Sequence, residues 1–257
     1  ENTRIGIKQL QKIKAITFHT PQRQITPSIL TINNKPIENT DHASFLGIII
    51  DKHLSFKPHI NKLATKISQI SGILNKLKHF IPQNILKIFY QTLTVPHITY
   101  GSLAWSHSRH SLLLNKLLKR PIRIIANAKY NAHTEPLYKK YKFLKFEDLR
   151  NIKELKFYYN WRRGVLPRYF DTMITVGREE HRLRVPMHRH EFFKLSLLYS
   201  IANTVNSIPR QIINLTATHS IKAFSNRLKD YFIDQYSSQF ILGSMNSVDH
   251  KPRLTSQ

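Results

Sequence analysis

The spacing of apolar positions divides this chain in two. Up to residue 51 they come in short β-type groups; beyond residue 55 they recur at intervals of three and four. The sharpest β signal is Phe45-Leu46-Gly47-Ile48-Ile49-Ile50-Asp51, six apolar or glycine positions closed by a carboxylate. This run is too short for a membrane span and rich in β-branched residues, so it reads as a buried strand. Gly47 inside it marks a bulge or a close backbone approach. Ile13 to Phe18 alternates as a strand does, whereas Ile5 to Leu10 carries too few apolar residues to choose helix or strand. Ser28 to Ile37 reads as a hairpin turning at Asn33-Asn34, with Pro36 keeping the return strand short or at an edge.

From Ser55, which suits an N-cap, with Pro58 in the first turn, a helical pattern takes over. Ile60, Leu63, Ile67, Ile70, Ile73, Leu74, Leu77 and Phe80 form one apolar stripe. Pro82 opens a second helix with Ile85, Leu86, Phe89 and Leu93 inward, and Pro96 ends or kinks it at Val95. A third helix runs from Leu112 to Ala126, where Pro121 should bend or split it. Thr134 caps a short helix through Leu137, Tyr138 and Tyr141. Phe146 to Trp161 is amphipathic, with Glu147 and Asp148 suited to a helix N-terminus. The periodicity fades from Gly164 to Arg189, a partly extended connector, and order returns at Phe192 to Tyr199. Ile221, Phe224, Leu228, Tyr231 and Phe232 mark a final helix, and the polar stretch from Gly243 predicts a frayed tail. No internal repeat is present. The expected fold is mainly α with a small N-terminal antiparallel β part.

Composition sharpens the question of partners. The 257 residues and 41% apolar content support one or two domains with a real core. Lys and Arg number 40 against 15 Asp and Glu, a net charge of +25. A balance this basic calls for a polyanion. Nucleic acid comes first, because the charge is spread among helices rather than gathered in a tail; an anionic membrane surface comes second. The absence of cysteine excludes disulfides and thiolate zinc sites and fits a reducing compartment. No stretch reaches the roughly 18 apolar residues of a transmembrane helix, and no signal peptide opens the chain. It starts at Glu1 within an amphipathic pattern, as a piece of a longer protein would.

Most catalytic chemistries lack their residues. A two-metal site needs several converging carboxylates, yet no Asp-Asp pair occurs, and the only aspartates of the strand-rich part, Asp41 and Asp51, are not adjacent. Asp51 reads as a turn or cap residue. His181, His188, His190 and Glu191 read as a solvated basic loop rather than a metal site. Seven glycines form no phosphate cradle, and no G-x-S-x-G elbow supports a hydrolase. The basic stripes are more informative. Lys62 and Lys66 lie one turn apart; Lys116, Lys119, Arg120 and Arg123 share one helical face, and few acids are interleaved to neutralise them. Such a face reaches consecutive phosphates of one backbone, each contact adding about −0.7 to −0.9 to the slope of log K against log salt. Tyr158, Tyr159 and Trp161 could stack on bases, but their helical spacing suits a core.

Several short motifs occur in a telling order. They are Lys14-Ala15-Ile16-Thr17-Phe18, Phe45 to Asp51, Leu54-Ser55-Phe56-Lys57-Pro58-His59-Ile60, and Pro96-His97-Ile98-Thr99-Tyr100-Gly101 with Trp105. Arg123-Ile124-Ile125, Ala132-His133-Thr134 with Pro136-Leu137, and Phe224 to Tyr231 follow. The order resembles the C-terminal part of a reverse transcriptase from a non-LTR (LINE, jockey-like) retrotransposon over residues 2 to 236. The resemblance implies the end of a polymerase palm over residues 1–54, with a primer-grip-like hairpin at Phe45–Asp51 in which Phe45, Leu46 and Gly47 position the primer. A helical thumb over 55–163, a connector and helical extension over 164–240, and a flexible tail over 241–257 would follow. Lys62, Lys66, Lys116, Lys119, Arg120 and Arg123 would contact RNA and DNA phosphates of the template–primer duplex. The family's catalytic aspartates would precede Glu1, so this chain alone is expected to be inactive and to hold no cofactor, Mg²⁺ belonging to the complete polymerase. Val205 stands where the family usually carries tryptophan, a sign of a decayed copy. The reading places the protein inside the cell, the nucleus included. The alternatives are a decayed relic without function and a basic helical scaffold or lipid-binding protein without enzymatic role.

Overall fold

The computed structural model describes residues 13–23, 29–32 and 34–236. The expectations for Ile5–Leu10, Ser28, Asn33 and the stretch from Gly243 lie outside these residues. Among the described residues helix accounts for 57% and strand for 8%, the named strands being short and lying in the N-terminal part. Lys14–Ala15 (β1) pairs with Glu38–Asn39 (β4), Thr31–Ile32 (β2) with Lys35–Pro36 (β3), and His42–Phe45 (β5) with Ile48–Asp51 (β6). The last two pairs are antiparallel, but β1 and β4 run parallel, which corrects the expectation of a purely antiparallel part. Asn34 closes the β2–β3 hairpin at φ 60°, a left-handed conformation that asparagine tolerates.

The run Phe45–Ile50 is not one strand. It folds back on itself at Leu46 and Gly47, both with positive φ (47° and 81°), and Phe45 pairs directly with Ile48. This is a two-residue turn whose twist suits a hairpin. Leucine rarely occupies such a position, so the apolar run reads as one strand by its pattern. Gly47 is thus a turn residue rather than a bulge.

The first long helix, Lys57–Leu77 (α1), buries Ile60, Leu63, Ile67, Ile70 and Leu74 as its periodicity dictates. Ile73 and Phe80 of the anticipated stripe are exposed instead, because the covered arc is narrower than the stripe. Gln83–Leu93 (α2) buries Leu86 and Tyr90, and leaves Ile85 and Leu93 exposed and Phe89 half-buried. Val95–Thr99 (α3) and Ser102–Trp105 (α4) follow, with Pro96 in the first turn of α3. Leu112–Ile125 (α5) contains Pro121 yet is not split. Glu135–Lys140 (α6) starts after Thr134, whose side chain makes no capping bond. Phe146–Arg162 (α7) has Glu147 and Asp148 in its first turn. The connector holds a 3-10 turn at Arg168–Thr172 and a bridge between Val176 and Leu183. A 3-10 turn at Glu191–Leu195 leads into Leu197–Ser207 (α8), Arg210–Ile213 (α9), Leu215–Thr218 (α10) and Ile221–Gln235 (α11).

Two apolar clusters result. One gathers α1, α2, α5 and α6 around Tyr90, Trp105 and Ile122. The other gathers α7, α8 and α11 around Leu155, Phe224 and Val205. Helix α7 belongs to both, contributing Phe146 to the first cluster and Ile152 onward to the second. Between them lies a buried polar knot. Glu154 is fully buried; it accepts from Thr204 Oγ1 at 2.6 Å and from Ser200 Oγ at 3.0 Å, with His107 Nε2 3.3 Å and Arg150 Nε 3.6 Å away. Burial raises the Glu154 pKa against the pull of Thr204, Arg150 and Ser200. Burial, helped by Arg150, pulls His107 down to about 4. The imidazole is therefore neutral, and Arg150 is the counter-charge of the carboxylate.

Candidate nucleic-acid interface

The basic face of α5 is set by its packing. Leu114, Leu118, Pro121, Ile122 and Ile125 are buried. At about 3.6 residues per turn, the side chains of Lys116, Lys119 and Arg120 fall on the opposite side, and all three are exposed. Among the described residues none of them is held in an ion pair. Arg123 is different. It is half-buried and its Nε donates to the Ala132 carbonyl at 2.8 Å, tying the loop before α6 to α5. Lys62 and Lys66 are exposed on α1. Helices α1 and α5 pack against one another more extensively than any other pair. The α5 cations lie off the buried face of α5, and Lys62 and Lys66 lie off the buried face of α1.

The hairpin tip is the second feature. Phe45 and Leu46 are 65% and 72% exposed. Tyr100 OH donates to the Leu46 carbonyl at 2.9 Å, bracing the turn from outside. Gly101, at φ 56°, lies where a Cβ would come within 2.4 Å of Ile48 Cδ1. Below it, Trp105 Nε1 donates to the Tyr100 carbonyl at 3.0 Å and its ring meets His59 edge-on. Ser108 Oγ donates to the Ser55 carbonyl at 2.6 Å. The motifs Phe45–Asp51, Leu54–Ile60 and Pro96–Trp105, distant in sequence, thus form one continuous assembly.

Asp51 organises the entry to α1. Its Oδ1 accepts from Phe56 N–H at 2.6 Å, and its Oδ2 accepts from the Ser55 hydroxyl (2.9 Å) and from Ser55 and His53 N–H (3.2 and 3.3 Å). Burial opposes its ionisation, but these hydrogen bonds outweigh it and hold the carboxyl below its usual range. The cap reading of Asp51 stands; Ser55 Oγ itself accepts from Lys57 N–H at 3.3 Å, and the residue flanking the helix is Phe56 at φ 54°.

Both Asp51 oxygens are engaged by their own turn, and among the described residues no three His, Asp or Glu side chains could together hold an ion. His181 pairs with Glu179, Glu191 with Lys194, and His188 stacks on Phe193. A cleft of about 400 Å³ opens between Tyr158, Arg162, Glu179, Arg210 and Asn214; its charges are largely paired within it, Arg162 with Glu180 and Glu179 with His181 and Arg182. Tyr158 and Tyr159 are buried in the second cluster, and Trp161 packs on it.

Sequence reasoning did not single out Glu154, which looks like a surface partner of Arg150 one turn away. Among the described residues no helix is long and apolar enough to cross a membrane. Comparison with protein-family models, with curated protein sequences and with solved structures returns no match to this chain.

Proposed function

We propose that this chain is the C-terminal part of a retroelement reverse transcriptase, a helical thumb and extension that grip a template–primer duplex by its phosphodiester backbones. The observation that carries the reading is the exposed, unneutralised face of Lys116, Lys119 and Arg120, in a chain of net charge +25. Backbone contacts position a duplex without reading its sequence. The exposed hairpin tip at Phe45, Leu46 and Gly47, braced by Tyr100, supports the role of a primer-positioning element. Lys62 and Lys66 extend the contact along α1. Polymerisation itself requires Mg²⁺-binding aspartates from elsewhere in the parent protein, and this chain acts as the clamp.

The test is duplex affinity measured across salt. Replacing Lys116, Lys119 and Arg120 by glutamine is expected to flatten the slope of log K against log salt by about two to three units, at 0.7 to 0.9 per phosphate contact. An unchanged slope overturns the assignment.

A second reading has its own observation. Around the α1–α2 corner Ile73, Phe80, Ile85 and Ile88 are exposed, Phe80 by 84%, with Lys76 and Lys87 nearby in sequence. Exposed apolar side chains flanked by lysines suit an anionic lipid surface. Flotation with anionic vesicles in the absence of nucleic acid decides between the two.

A further inference from the structure

A second cluster of cations is created by the fold alone. Helices α7 and α11 pack antiparallel. At one end Tyr236 OH donates to Asp148, and at the other the Tyr159 and Phe224 rings stack at 5.6 Å. This register places Lys229 of α11 beside Lys153 and Lys156, which are one turn apart on α7. Lys153 and Lys156 are half-buried and Lys229 is exposed. Among the described residues none of the three is held in an ion pair. Burial first, then repulsion from Lys153 and Lys229, pulls the Lys156 ammonium below its usual pKa. Lys156 is half-buried between two lysines and, among the described residues, none of the three has an ion-pair partner, so the arrangement is one that an anion would relieve.

We propose that Lys153, Lys156 and Lys229 form a phosphate-binding site on the α7–α11 seam, which takes a backbone phosphate of a bound polynucleotide beyond the stretch held by α5. Lysine suits this role as a point charge on a flexible stem, able to follow a phosphate without fixed geometry. The proposal rests on the nucleic-acid reading above and adds to it a contact on the α7–α11 seam.

The experiment compares four proteins binding an RNA–DNA hybrid oligonucleotide across a potassium chloride series. They are the wild type, Lys156→Met with Lys229→Met, Lys156→Arg with Lys229→Arg, and the α5 triple glutamine variant. The methionine pair is expected to lower the salt slope by about 0.7 to 0.9 units, as loss of one phosphate contact requires, and the arginine pair to restore it. Without nucleic acid the methionine pair should melt higher than the wild type, because a repulsion has been removed while the stems still pack. A slope unchanged in the methionine pair but reduced in the α5 variant overturns this site and leaves the α5 reading standing. A lower melting temperature in the methionine pair without arginine rescue overturns it as well, since that marks a packing role. A wild type that binds no hybrid overturns both readings.

Discussion

Glu154→Ala is the substitution that most tests how this fold is joined. The carboxylate bridges α7 to Ser200 and Thr204 of α8, and it stands 3.3 Å from His107 of the segment after α4. Removing it leaves the Thr204 and Ser200 hydroxyls without their acceptor, and strands Arg150, whose Nε is buried with no other partner. Breaking a buried pair from one side costs about 3–5 kcal/mol. The Arg150 side chain is 26% exposed and can turn partly to water, which argues for the lower end, about 3 kcal/mol. Glu154→Gln keeps the shape and one acceptor, and should cost about 1–2 kcal/mol. Against a typical total of about 5–15 kcal/mol, the alanine variant is near the limit of folding. Because the knot lies between two apolar clusters, its loss should also uncouple them. Trp105 belongs to the first and Trp161 packs on the second, so urea unfolding followed by Trp105 fluorescence in a Trp161→Phe background can be set against circular dichroism of the whole chain. Coincident transitions in the parent and separated ones in Glu154→Ala are expected. A variant within about 0.5 kcal/mol of the parent, the range of ordinary surface changes, refutes the interlock.

Two further outcomes follow from the same geometry. His107 is depressed to about 4 in the folded chain and titrates near 6.5 when unfolded. Its contribution is therefore present above about 6.5 and lost as pH falls toward 4, and the loss is about 3 kcal/mol; His107→Gln should flatten that part of a stability–pH profile. Gly101→Ala puts a Cβ at 2.4 Å from Ile48 Cδ1 and strains φ 56°, so it should cost about 1–3 kcal/mol in chemical denaturation, with Ile48→Ala recovering the steric part only.

The helical half was legible because its signal is local. The stripe from Ile60 to Leu74, the Pro82 and Pro96 boundaries and the α11 positions follow from period and capping chemistry. What escaped depends on partners remote in sequence. Leu46 at positive φ makes a turn out of an apolar run, and only the Tyr100 hydroxyl from α3's end accounts for its bracing. Ile73 and Phe80 carry the right period but are exposed. Arg123 shares its face with Lys116, Lys119 and Arg120 in spacing, yet the loop at Ala132 engages it. Glu154 and Lys156 acquire their character from burial between helices, which no spacing along α7 encodes. Val205 is buried in the second cluster.

The central claim is that a polynucleotide lies along the exposed cations of α5. Lysine acetylation mapped residue by residue, with and without a bound RNA–DNA hybrid, tests it most directly. Protection of Lys116 and Lys119, with Lys76 on the α1–α2 corner remaining reactive, is the predicted pattern. Equal reactivity of Lys116 and Lys119 in the free and bound protein contradicts the account.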